Sequence, residues 1–228
     1  MGSKRARGRL TYGWLADCYC LLAMTPEADV QTEQLEEGLQ LAAQGSGDLL
    51  ERDYWGAIAN CRLPPRALMA DLLSRFCEFP PEDLVSFTRV GDGSAPLQEG
   101  DELDIVIRMA GKCRARVTCC EQASLTLATL SGHPEAGRIT FGSYRHETGA
   151  VIFHIRSRSR SGDFKYSAGF LAFGEAMQTN TWTDFVRTVA NTYGDGIDGE
   201  VHAETTHVEP IADDAQACRP TFRARSDD

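Results

Sequence analysis

The sequence predicts an α+β protein in which a curved antiparallel sheet wraps around a long C-terminal helix, preceded by an N-terminal helical extension. Segments of period-two alternation between Leu103 and Arg156 read as a meander of strands. Downstream, Trp182, Phe185, Val186, Val189, Ala190 and Tyr193 fall at helical spacing and make a wide apolar stripe. A curved sheet with one apolar face is covered by one such helix. The expected organisation is 1–47 as the helical extension, 48–199 as the sheet-and-helix domain and 200–228 as a polar C-terminal tail.

The elements follow in order. Leu10, Trp14, Leu15, Cys18, Leu21 and Leu22 form an amphipathic stripe, and Thr25-Pro26-Glu27 starts a second helix running to about Ala43. Tyr54 to Ala59 reads as a strand. Pro64-Pro65 ends it and opens a helix with Leu68, Leu72, Leu73 and Phe76 on one face. Leu84 to Phe87 is extended. Next, Leu103, Ile105, Ile107 and Met109 alternate with Asp104, Val106, Arg108 and Ala110. Beyond Gly111-Lys112, Cys113, Ala115, Val117 and Cys119 continue the inward face, and Leu125 and Leu127 carry a third strand.

The hairpin of Arg138–Arg145 with Ala150–Arg156 is the best specified. A loop of Glu147, Thr148 and Gly149 puts glycine at the left-handed position. That register sets Phe141 opposite Ile155 and Ser143 opposite Phe153. A slip by one residue would mix the apolar set with His154 and Arg156, so the pattern selects the register. Phe170, Phe173 and Met177 extend the final helix towards its start, with Thr179-Asn180-Thr181 as a place for a kink. From Ile211 onwards the chain reads as a disordered tail.

Composition narrows the function classes. With 228 residues, 42% of them hydrophobic, the chain can build one core without metals or disulfides. A net charge of −10 repels phosphate backbones and anionic bilayers, so nucleic acid is not expected as a partner. Asp17 interrupts the apolar N-terminal stretch and no run is long enough to span a bilayer, so membrane insertion is not expected. The eight cysteines contain no Cys-x-x-Cys, which fits a reduced, cytoplasmic protein without a metal site or cofactor.

Thr129-Leu130-Ser131-Gly132-His133-Pro134-Glu135-Ala136-Gly137 resembles the signature loop of an uncharacterised START-like (helix-grip, SRPBCC-type) family of bacteria and plants. Gly149, Val151, Phe153, Ile155, Arg156, Ser159 and Arg160 resemble its downstream stretch, and Phe79-Pro80-Pro81, Glu99-Gly100 and Cys113-Arg114 sit at compatible spacings. The resemblance runs from Tyr54 to Arg160. It implies a helix-grip fold with a cavity for a hydrophobic or amphipathic small molecule. A minority of the wider superfamily are cyclases or hydrolases, and this branch brings no activity with it.

The ligand-binding residues expected are Ile107, Ala115, Val117, Phe141, Ser143, Phe153, Ile155, Trp182, Phe185 and Val189. Cys113, Ala115, Ser143 and Gly174 are small for an inward surface and leave volume to be filled. That inward face is expected to hold no ionisable side chain other than cysteine, so binding is expected and catalysis is not assigned. The enzymatic alternative would use Tyr54, Tyr144 or His133. A third reading has the N-terminal stripe docking on a protein partner or a second copy. His133 with Glu135 reads as a proton-transfer pair or, preferably, as bracing for the loop backbone. His154, Arg156, Arg158 and Arg160, with Arg145 nearby, read as an anion site or, preferably, as the solvated outer face. His202, Glu204 and His207 lack a metal-binding spacing.

Overall fold

A computed structural model of the protein describes residues 37–91, 93, 95–108, 110–162 and 168–222, with backbone alone for 168–175. The Leu10–Leu22 stripe, most of the second predicted helix, Cys18, Cys20 and Met109 lie outside the described residues, as do the side chains of Phe170 and Phe173 and the surroundings of Gly174.

Eight strands form one antiparallel sheet. They are β1 (Ser46–Ile58), β2 (Val85–Arg89), β3 (Glu102–Ile107), β4 (Gly111–Glu121), β5 (Ser124–Thr129), β6 (Glu135–Arg145), β7 (Val151–Ser161) and β8 (Ile197–His207). Their order across the sheet is β2-β3-β4-β5-β6-β7-β1-β8. Helix α1 (Pro65–Arg75) follows β1, and helix α2 (Ala168–Tyr193) lies between β7 and β8. Pro65 opens α1, where its missing N–H costs nothing. Helix α2 runs through Thr179-Asn180-Thr181 without a break, its threonine hydroxyls bonding back to carbonyls four residues earlier.

The β6–β7 register is the one the hydrophobic pattern selects, with Phe141 opposite Ile155 and Ser143 opposite Phe153. Gly149 closes the loop at φ 88°. Gly137 is required for another reason: a Cβ there would lie 2.2 Å from the Arg158 carbonyl oxygen on β7.

Four expectations need correction. The second predicted helix does not reach Ala43, because Leu39 bridges to Leu130 and Ala42–Gln44 is a 3-10 turn. In β4 the register shifts between Val117 and Cys119, so Cys120 rather than Cys119 packs on the apolar core. Residues 200–207, expected in the tail, belong to β8, which pairs with β1. The described residues beyond Ile211, as far as Phe222, are not a free tail but lie across the back of the sheet.

That last segment changes the character of the outer face. His154, Arg156 and Arg158 do point away from the apolar face, but His154 and Arg158 are each only 8% exposed. Arg158 Nε and Nη2 donate to Asp214 at 2.7 and 2.8 Å, and Nη1 donates to Glu51 at 2.6 Å. Arg156 Nε donates to Asp53 at 2.6 Å, which also pairs with His154. Phe222 stacks on the His154 ring at 4.4 Å. Thr221 donates its N–H to Thr140 and its hydroxyl to the Arg156 carbonyl, both at 2.8 Å. Arg138 donates to the Arg219 carbonyl. These arginines are therefore the anchor of the C-terminal segment, neither solvated nor an open anion site.

Candidate functional site

The site is a cavity of about 540 Å³ on the inner side of the sheet, within the usual size range of small-molecule pockets. Its wall includes Val85 of β2 and Ile105 of β3 at one side of the sheet, and Ser157 of β7 and Arg52 of β1 towards the other. Strands so far apart in the order can share one cavity only if the sheet curls around it. Helix α2 supplies the facing wall through Met177, Gln178, Thr181 and Trp182.

Period-two geometry explains which residues reach it. On β7 the inward set is Phe153, Ile155, Ser157, Ser159 and Ser161, so side chains shrink and become polar along one strand. On β6 it is Ser143, Phe141, Ile139, Gly137 and Glu135. On β1 it includes Tyr54 and Arg52, opposite Ile155 and Ser157. The large ends meet α1 and the second half of α2 in a solid core: Phe76, Phe141, Phe153 and Phe185 are fully buried, and Phe185 lies 5.3 Å from the Phe141 ring and 6.0 Å from Phe153. The small ends leave the cavity.

Of the ten residues expected to bind ligand, Ile107, Ala115 and Trp182 line the cavity. Val117, Phe141, Ser143, Phe153, Ile155, Phe185 and Val189 are buried in the solid part of the core. Ser143 is small, yet it leaves no opening, because its Oγ donates to the Ile152 carbonyl at 2.9 Å. Cys113 packs against the same core.

The expectation that the inner face lacks charge is overturned. Arg52 is inward because β1 begins at Ser46 instead of near Tyr54, and Glu135 is inward because β6 begins there. Arg52 Nη1 lies 3.2 Å from Glu135 Oε1 and donates to Ser159 Oγ at 3.1 Å. The other Glu135 oxygen accepts from Gln178 Nε2 at 3.0 Å, which ties the sheet to α2. Three polar atoms of cavity residues are buried with no hydrogen-bond partner among the described residues: Arg52 Nε, Ser157 Oγ and Trp182 Nε1. Alternating small residues, Ser157-x-Ser159-x-Ser161, were the sequence signal for this end.

His133 also lines the cavity, and its Nδ1 lies 3.0 Å from both the amide nitrogen and the carbonyl oxygen of Glu135. Burial lowers its pKa below the ordinary 6.5, against the opposing charge and backbone contact of Glu135. It is a neutral imidazole holding its own loop. Tyr54 is inward and buried, while Tyr144 alternates to the outer face, near the His154 ring. Burial, aided by Glu135, pushes the Cys113 thiol up to about 12, and burial, aided by Glu99, does the same to Cys120. Both therefore stay protonated near neutral pH. His202 stacks on Trp55 on the outer face, and His207, on the opposite face of β8, pairs with Asp48 at 3.2 Å, so the two histidines do not converge. Among the described residues no group of three His, Cys, Asp or Glu side chains is placed to hold a metal. Likewise no described helix is long and apolar enough to cross a membrane.

Residues 83–188 match the family profile of a domain of unknown function (DUF1990). No curated protein matches the chain in sequence. Among solved structures, the chain is similar to the di-domain ARO/CYC StfQ from the steffimycin biosynthetic pathway, at 7% identity over 65% of this chain and 51% of that one, TM-score 0.46. The chain thus spans about half the length of that protein. It is also similar to major latex-like protein 151 from Panax ginseng, at 11% identity over 64% and 99% of the two chains, TM-score 0.43. A norcoclaurine synthase point mutant from Thalictrum, bound to a transition-state analogue, aligns at 8% identity over 65% and 96%, TM-score 0.46.

Proposed function

We propose that this protein is a helix-grip, START-like binding protein that holds a hydrophobic or amphipathic small molecule between its sheet and helix α2. On this reading the binding unit is the sheet with its two helices, extended from the expected 48–199 to run from Ser46 to His207. The observation that carries the proposal is the division of the inner face into a solid aromatic end and a cavity walled by Phe87, Ile105, Ile107, Ala115, Ile139 and Trp182. Burial of apolar ligand surface there contributes about 25 cal/mol per Å². Catalysis is the weaker reading, because His133 is committed to backbone groups and the half-buried Cys113 and Cys120 thiols are protonated.

The test is binding of an environment-sensitive apolar dye, with Ala115→Trp as the variant that fills the cavity. The expected result is saturable binding to the wild type and at least a tenfold loss in Ala115→Trp with the fold retained. Equal affinity in the two proteins would place the dye elsewhere and remove the proposal.

A further inference from the structure

We propose that the polar end of the cavity is a subsite for an uncharged ligand oxygen, a ketone, ester or hydroxyl, and that it discriminates against carboxylates. This rests on the cavity-binding reading above and specifies the chemistry of its ligand.

Arg52 and Ser157 are direct cross-strand partners on β1 and β7, both inward, and they are 7% and 2% exposed. Buried polar groups in folded proteins nearly always have partners, and a donor left without one is costly. Here Arg52 Nε and Ser157 Oγ lack partners among the described residues although both side chains border empty volume. Trp182 Nε1, a donor only, is in the same condition on the helix wall. A ligand oxygen placed against Arg52 and Ser157 would satisfy both.

The charge at this end decides which oxygen fits. The Arg52 guanidinium already faces the Glu135 carboxylate at 3.2 Å, and that carboxylate is held in place by Gln178. A ligand carboxylate would therefore meet a balanced ion pair and the like charge of Glu135 in a poorly solvated site. The other ionisable groups nearby do not alter the balance. Arg138 faces away and pairs with Asp214, Asp48 and His207 pair with each other at the exposed rim, and His133 is neutral. The charge of Glu135 is also felt at Cys113, where it adds to the effect of burial on the thiol.

The test uses the full chain and three naphthalene probes that differ in one substituent, a methyl ketone, a carboxylate or an ethyl group, with affinities read by calorimetry. The ketone is expected to bind about threefold or more tighter than the ethyl compound, and at least about tenfold tighter than the carboxylate. Ser157→Ala should bring the ketone down to the ethyl affinity while leaving the ethyl compound unchanged. Glu135→Gln, which keeps one acceptor oxygen for Arg52 and removes the charge, should raise carboxylate affinity about tenfold relative to ketone. If ketone and ethyl bind equally in the wild type, or the carboxylate binds tightest, the oxygen subsite is wrong and the cavity reading stands. If none of the three binds, the cavity reading falls and takes the subsite with it.

Discussion

The two ends of the inner face are built from the same strands and behave differently. At the aromatic end Phe141, Phe153 and Phe185 interlock, and the small residue among them, Ser143, satisfies its hydroxyl on a main-chain carbonyl. Two to four residues further along β7 and β1, Ser157 and Arg52 border empty volume, and Ser157 Oγ and Arg52 Nε have no partner among the described residues. The first arrangement is what stability demands of a core. The second costs stability, and binding sites are where folded proteins retain such costs. The cavity end compensates from behind. Arg158, between Ser157 and Ser159, and Arg138, beside Ile139, point to the outer face and are clamped by Asp214 of the C-terminal segment.

The sharpest way to break this comparison is to truncate one side chain at each end. Phe185→Ala removes a fully buried ring from the solid core and should cost about 3–5 kcal/mol in chemical denaturation. Ile139→Ala, at a wall already facing empty volume, should cost about 2 kcal/mol or less, since few new packing contacts are lost. Equal losses would mean that the cavity is as well filled as the aromatic end.

The clamp gives the next largest effect. Asp214→Asn leaves Arg158 with Glu51 as its remaining carboxylate and weakens the tie to Arg138, so a loss of about 2–3 kcal/mol is expected. Ionisation of Asp214 makes the same point without mutation. Burial alone would raise its pKa, but hydrogen bonds from Arg158 and the Ile211 amide, with the charges of Arg158 and Arg138, hold it below 3.8. A carboxylate depressed in the folded state contributes stability above its unfolded pKa and loses it as pH falls through the folded value. Wild-type stability should therefore drop below about pH 4, and the drop should be shallower in Asp214→Asn. An identical acid limb in the two proteins would show that the clamp contributes nothing.

The parts of this design that a local pattern can carry were legible in the sequence. The β6–β7 register follows from four apolar residues and one glycine, and α2 follows from its stripe. The inner charges were not legible, because they depend on where β1 and β6 begin. Ser46–Asp53 and Glu135–Gly137 have no apolar alternation to mark them as strand. Strand β8 was missed for a related reason: it is an edge strand exposed along most of its length, with only Ile197 and Val201 packed on the core. The C-terminal segment is held by partners such as Arg158 and Asp214, 56 residues apart, and no periodicity reports a pairing of that range. Polar residues read as tail or solvated face became buried because each met its opposite charge.

The smallest effect is the most specific to the comparison, since it turns on the sign of the same substitution at each end. Ser143 and Ser157 are both inward and both essentially buried, on neighbouring strands. Ser143→Ala removes a donor from the Ile152 carbonyl and should cost about 1 kcal/mol, the net worth of an ordinary buried hydrogen bond. Ser157→Ala removes a hydroxyl that has no partner among the described residues, so it relieves a desolvated group instead of breaking a bond. Its stability should be unchanged or higher by up to about 1 kcal/mol. Denaturation of the two variants side by side, without ligand, reads the difference directly. A loss in Ser157→Ala equal to that in Ser143→Ala would mean that Ser157 is already satisfied within the protein, and the cavity end would then be a core like the other.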